Sequence, residues 1–285
     1  MSPVVVQDGV LAMETSQGFK GRSRGGGRGR SGREAFWRHV LIPLAAVAFV
    51  GLWQFIVQWG AYPAFILPTP RRVVLRFLDA LRAGSLQMHV LVTLREVFGG
   101  LALGLSVAVL LGYALGKSRT LERILSPYIV ASQAIPIVAL APLLIIWFGL
   151  GSLSKVLVCA LTLFFPVLIN IIVGIRSVDS DLMDLMRSLR ASRWQVFKML
   201  ELPASLPVLF GGLKIGVTLS VIGAVVGEFA GADRGLGFLV NLARGLFDTP
   251  LMFVALFTLM FIALALYWVV SALESCLLKW RWPEE

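Results

Sequence analysis

Charge is what this sequence has least of. Only 15% of its 285 residues are Asp, Glu, Lys or Arg, while 58% are hydrophobic. A soluble domain carries nearer a quarter charged residues, because its surface faces water. An apolar surplus of this size needs an apolar solvent, and the bilayer is one. Cysteine and histidine are also scarce. Cys159 and Cys276 lie far apart inside apolar runs, and only His39 and His89 are present. That argues against a disulfide framework and against a metal site, so no metal or other cofactor is expected. Acidic residues number 16 against 26 basic ones, a net charge of +10. An excess of this sign suits nucleic acid. It equally suits a membrane protein, whose cytoplasmic loops retain Lys and Arg. No secretory signal is expected, since the chain is polar for more than thirty residues before its first apolar run.

Residues 1–35 are polar and end in the low-complexity run from Gly21 to Arg33, rich in Arg, Gly and Ser. Such a run cannot bury apolar surface and is expected to be disordered. It looks like an RNA-binding Arg/Gly segment. The spanning segment directly behind it favours a solvated basic tail held near anionic lipid, with no nucleic acid as partner. Residues 36–285 then form a transmembrane domain. Runs long enough to cross the hydrocarbon core, about 20 residues, lie near 39–59, 90–115, 124–148, 153–174, 209–230 and 251–273. The third contains Pro127, Pro136 and Pro142, which packed neighbours and water can accommodate. The expectation is an all-α membrane protein of six transmembrane helices. With the N-terminus inside, the cytoplasmic stretches and Lys214 hold 18 of the 26 Lys and Arg residues, which favours both termini in the cytoplasm. The charges left for the outer side include Lys155. Residues 70–83 have amphipathic helical spacing and read as a short helix on the outer interface.

Small residues recur every four positions: Gly100, Gly104, Ala108, Gly112 and Gly116 in the second span, and Gly212, Gly216, Ser220 and Ala224 in the fifth. Gly223, Gly227 and Gly231 form a parallel stripe. Each set lies on one helix face, where close helix packing is expected. Two motifs mislead. Gly112 to Ser118 nearly spells a phosphate-binding loop, but three residues separate its glycines instead of four, and Leu111 stands where the glycine is needed. Lys117 is read as an inner-face anchor, and no ATP binding by this chain is expected. Ser152 and Lys155 have a Ser-x-x-Lys spacing in a short outer turn with no other catalytic group, which is chance. No enzymatic activity is expected.

The segment between the fourth and fifth spans, 175–208, is unusually informative. Asp179 or Ser180 can cap a first short helix carrying Leu182, Leu185, Met186 and Leu189. Ser192 can cap a second carrying Val196, Phe197 and Leu200, and Pro203 and Pro207 stop or kink it. Apolar knobs ringed by Arg187, Arg190, Arg193 and Lys198 suit a protein-docking surface. They equally suit a helix pair resting on lipid headgroups.

This segment resembles the cytoplasmic loop of ABC importer permeases, whose pattern is Glu-Ala-Ala, three residues, Gly, nine residues, Ile-x-Leu-Pro. Asp184, Leu185 and Met186 take the Glu-Ala-Ala place, Arg190 takes the glycine place, and Leu200 to Pro203 match the end. The surroundings of Ala191, Ser192, Arg193 and Trp194 are also similar. Elsewhere, Leu67 to Pro70, Ala134 to Pro136, Ala141 to Gly149, Phe165-Pro166 and Gly227 to Gly237 resemble the nitrate/sulfonate/taurine branch. That branch includes permeases for riboflavin and for pyrimidine precursors of thiamine. The resemblance covers the chain from about residue 39 and implies a MetI-like permease fold in the bacterial inner membrane. It also implies a second permease copy, cytoplasmic ATP-binding subunits and an extracytoplasmic substrate-binding protein. The implied ATPase-coupling residues are Asp184, Leu185, Met186, Arg190, Ala191, Ser192, Arg193, Leu202 and Pro203. Candidates for the translocation path of a small anionic or heterocyclic solute are Gln133, Pro136, Phe165, Asn170 and Glu228. An ion-coupled secondary transporter or channel is the alternative. It would need ionisable groups deep in the spans, for which Glu228 is the main candidate, with Arg95 and Glu96 near an outer helix end.

Overall fold

The structure is a computed structural model that describes residues 28–278, and these are all-helical. The chain divides into two units, Met1–Leu52 and Trp53–Glu285. The described part of the first is the leading portion of helix α1 (Arg28–Trp59). That helix begins inside the stretch expected to be disordered; the rest of that stretch, residues 1–27, lies outside the described residues.

In the second unit, the amphipathic pattern at 70–83 becomes α2 (Pro70–Arg82). Thr69 caps it by accepting the Arg72 N–H at 3.4 Å, and Pro70 opens it with its backbone already fixed for a helix. Then follow α3 (Ser85–Lys117), α4 (Arg119–Gln133), α5 (Ile137–Phe148) and α6 (Ser152–Arg176). After them come α7 (Ser180–Ser188), α8 (Arg193–Val196), a π-helical turn (Phe197–Glu201), α9 (Leu202–Gly231), α10 (Leu236–Gly245) and α11 (Thr249–Leu277). Among the described residues, four helices are long and apolar enough to cross a membrane: α3, α6, the run Arg193–Gly231 and α11.

The expected third span, 124–148, is not one straight helix. It is α4 and α5, bent by 92° at residues 134–136. Pro136 has no N–H to give and disfavours helical backbone at Ile135, so the chain turns and Pro136 becomes the N-cap of α5. Pro127 and Pro142 sit inside α4 and α5 without ending them. The pair counts as a fifth span if read as one broken crossing.

The glycine faces of α3 and, up to Gly227, of α9 close on one helix. α6 packs along α3 on one side and α9 on the other. A Cβ at Gly104 would stand 2.8 Å from the Ala160 carbonyl oxygen, and one at Gly223 would stand 2.8 Å from the Cys159 Cα. Only glycine admits backbones that close. Leu163, Val167, Leu168 and Ile171 of α6 fill the space against Ala108 and Leu115 of α3. A second core joins α3, α9, α10 and α11 through Val97, Val221, Ala224, Leu236, Leu239 and Val254. Arg76 of α2 pairs at 2.7 Å with Asp248, which also caps α11 by accepting the Leu251 N–H at 3.1 Å.

Candidate functional site

The loop between α6 and α9 is built from local signals. Asp179 caps α7, its side chain accepting the Asp181 N–H at 2.9 Å. Ser192 and Gln195 form a reciprocal capping box at the start of α8, with the Ser192 N–H donating to Gln195 Oε1 at 2.7 Å. Between the two helices the chain reverses through Arg190, whose φ of +52° is left-handed. The Ala191 N–H reaches back to the Met186 carbonyl at 3.0 Å, and the Arg190 N–H reaches Arg187 at 2.9 Å. That is the usual closure of a helix by a left-handed residue, most often glycine. The glycine place of the loop pattern is therefore a backbone requirement, which this chain meets with arginine.

The loop presents Leu182, Leu185, Leu189, Trp194 and Met199, all exposed, with Leu189, Trp194 and Met199 each 68% accessible. Arg187 pairs with Asp184 at 2.8 Å within α7. Arg190, Ser192 and Arg193 are exposed, Met186 and Ala191 less so. Leu202 and Pro203 follow the π turn as the first residues of α9.

A polar cluster is buried where α10 meets α3 and α9. Glu228 is 1% exposed. Its Oε1 accepts the Thr93 hydroxyl at 2.7 Å, and its Oε2 accepts the N–H groups of Gly237 and of Phe238, the latter at 3.3 Å. The Leu236 N–H donates to Thr93 Oγ1 at 2.8 Å, and the Gly235 N–H donates to His89 Nδ1 at 3.0 Å. Glu228 thus caps the N-terminus of α10 from another helix, where four amide N–H groups would otherwise be unpaired. Glu96, buried at 1% exposure, lies against Glu228. Lys155 is also buried and donates to the Leu150 carbonyl at 2.7 Å. It closes the start of α6.

The path candidates are not brought into one cluster. Gln133 and Pro136 are exposed and flank the α4–α5 bend. Phe165 and Asn170 are half-buried on α6, where Asn170 donates to the Pro166 carbonyl at 2.8 Å and lies beneath Gly212. Glu228 is enclosed in its own cluster. Sequence reasoning missed Thr93 and His89, and it missed Glu201, whose buried carboxylate pairs with Lys117. The local sign of it was one acidic residue among the mostly apolar residues 196–202, where Lys198 is the other charge.

An all-helical chain with several membrane-length helices and an exposed two-helix loop defines a polytopic membrane protein. Residues 100–279 match the family described as binding-protein-dependent transport system inner membrane component, and the chain belongs to that family. It is 48% identical over 254 residues to the riboflavin transport system permease protein RibX of Chloroflexus aurantiacus, covering 89% of this chain and 95% of that protein. It is 36% identical to the formylaminopyrimidine transport permease protein ThiX of Halalkalibacterium halodurans, with 81% and 91% covered. It is 33% identical to the putative aliphatic sulfonates transport permease protein SsuC of Bacillus subtilis, with 89% and 92% covered. A solved structure of the MetNI methionine ABC transporter shares the fold, with a TM-score of 0.55, 19% identity, and 69% of this chain and 95% of that chain covered. The protein is a permease subunit of an ABC importer, as the loop pattern implied.

Proposed function

We propose that this chain is the riboflavin-type permease of its importer. It carries a planar heterocyclic solute inward, at the expense of ATP hydrolysed by separate subunits. The 48% identity to a riboflavin permease over nearly the full length of both chains carries this reading. The weaker likeness to sulfonate and formylaminopyrimidine permeases leaves those solutes as the competing substrates.

In this reading the membrane is crossed six times, by α1, α3, the bent α4–α5 pair, α6, the run into α9, and α11. Both termini are cytoplasmic, in keeping with the distribution of Lys and Arg. Two copies form the pore. The loop residues Asp184, Leu185, Met186, Arg190, Ala191, Ser192, Arg193, Leu202 and Pro203 meet the ATP-binding subunits. Gln133, Pro136, Phe165 and Asn170 are the residues for the path, while Glu228 holds the fold around it. ATP closes the ATPase pair, the loop carries that movement to the spans, and the pore changes which side it faces. A substrate-binding protein on the outer side delivers the solute. Permeases of this family have no nucleotide chemistry to do themselves, and the near-match at residues 112–118 lacks the required glycine.

The test is uptake of labelled riboflavin by proteoliposomes holding this permease with its ATPase subunits and substrate-binding protein. ATP-dependent riboflavin uptake is expected. Uptake of taurine or formylaminopyrimidine in its place would overturn the substrate assignment and leave the class intact.

A further inference from the structure

Both roots of the α6–α9 loop are fastened to one place, the last turn of α3. At the entry, the Arg176 guanidinium donates to the carbonyls of Leu115 at 3.2 Å and Gly116 at 3.4 Å, and it pairs with Glu122 of α4 at 2.6 Å. Those carbonyls are among the last of α3 and have no helical partners of their own, so a cation there is well placed. At the exit, Lys117 pairs with Glu201. Glu201 is only 2% exposed, and the Tyr113 hydroxyl lies 3.5 Å from its other oxygen. A carboxylate that deep is held only while its partner stays.

An aromatic chain runs from that pair to the exposed face of the loop. The Lys117 ammonium lies 5.9 Å over the Tyr113 ring, and Phe197 meets Tyr113 edge-on at 5.5 Å. Trp194, exposed on the loop, stacks on Phe197 at 5.5 Å. Phe197 and Glu201 are the two ends of the π turn, and the Leu202 N–H reaches back five residues to the Phe197 carbonyl. One-turn π segments hold a residue more than an α-helical turn and occur frequently at functional sites. A helix with such a turn yields there unless something on each side of it is fixed. Here both sides are fixed to α3.

We propose that Lys117 and Glu201 are positioning residues that lock the loop's exit to α3 across the π turn. Displacement of α7 and α8 then moves α3, and through its glycine face α6, instead of being absorbed in the turn. The inference rests on the loop being the ATPase-coupling surface, and Lys117 and Glu201 act through that surface without touching solute or nucleotide. The chemistry needed is one buried charge at 201 held by an opposite charge at the exposed position 117, in either orientation.

The test uses the complex with its ATPase subunits in proteoliposomes. It compares Glu201→Gln, Lys117→Met and the exchanged pair Lys117→Glu with Glu201→Lys. A reporter cysteine replaces the exposed Arg95 on the far half of α3, in a chain with Cys159→Ala and Cys276→Ser. Its labelling by a water-soluble maleimide is timed with and without ATP and vanadate. The parent complex should change its labelling rate on trapping. Each single variant should keep its ATPases and hydrolyse ATP while the labelling rate no longer responds, and the exchanged pair should regain the response. Single variants that respond like the parent overturn the inference, as does an exchanged pair that binds ATPase without regaining the response. A parent chain that binds no ATPase overturns the coupling reading itself, and this inference with it.

Discussion

Arg190 holds a left-handed backbone at a position where the loop pattern of related permeases has glycine. A side chain with a Cβ is strained in that region by about 1 kcal/mol, and glycine is not. Arg190→Gly should therefore stabilise the loop. The expected outcome is a rise of about 3 °C in the unfolding temperature of the detergent-solubilised protein, read by intrinsic fluorescence. An unchanged or lower temperature would mean the arginine makes compensating contacts. Glu228 is the opposite case, a residue whose loss leaves donors stranded. Its carboxylate serves Thr93, Gly237 and Phe238 in a buried site. Glu228→Ala should cost about 3 kcal/mol or more, because each buried donor left without an acceptor costs about 1–3 kcal/mol. Gln can still accept and should retain much of that. Membrane abundance after mild heating should rank wild type, then Gln, then Ala. Equal survival of all three would show that α10 does not depend on this cap.

At the scale of elements, the short helices of the loop contrast with the long helices they join. α7 and α8 bury no residue of their own. Their shape comes from the Asp179 cap, the left-handed reversal at Arg190 and the Ser192–Gln195 box. Of these, Ser192 was identifiable as a cap from the sequence alone and Asp179 as one of two candidates with Ser180, while the left-handed backbone at Arg190 and the part of Gln195 emerged only in the structure. Ala191 is the small residue at the reversal. Ala191→Glu should crowd a docked ATPase and disturb the basic surface, costing about 2 kcal/mol at that interface. That weakens docking more than tenfold. The expected outcome is normal abundance of the permease with its ATPase subunits absent from the purified complex. Full transport with ATPase still bound would remove the loop from the coupling surface. The π turn at 197–201 had no such local signal. It lies in a mostly apolar run that holds Lys198 and Glu201, and the partner of Glu201 is Lys117, 84 residues away.

At the scale of the whole molecule, α6 is the common partner of α3 and α9, and the loop that leaves it returns to the end of α3. In the proposed topology the loop lies on the side of the membrane where Lys and Arg are concentrated. A single cysteine at Ser192, in a chain with Cys159→Ala and Cys276→Ser, should resist an impermeant maleimide added outside intact cells. It should react once the membrane is permeabilised. Reaction from outside would reverse the topology. The purified chain should hydrolyse no ATP alone, and turnover that survives removal of contaminating ATPase would contradict the division of labour between subunits.

What the sequence by itself determined is whatever depends on near neighbours and on the solvent. Apolar runs set the solvent and most of the spans, and spacing by four set the glycine faces. Asp, Ser and Pro set the helix starts, and the loop pattern with its flanking segments pointed to the family. The tertiary structure decided what depends on distant partners. It turned the expected span 124–148 into two helices at 92°, joined the glycine faces of α3 and, up to Gly227, of α9 to the one helix α6, and gave Glu228 a partner in Thr93 135 residues away. The reason is physical. A cap or a hydrophobic face is satisfied within a few residues. A buried carboxylate is satisfied only by whichever helix the packing brings beside it, and no local pattern records which helix that is.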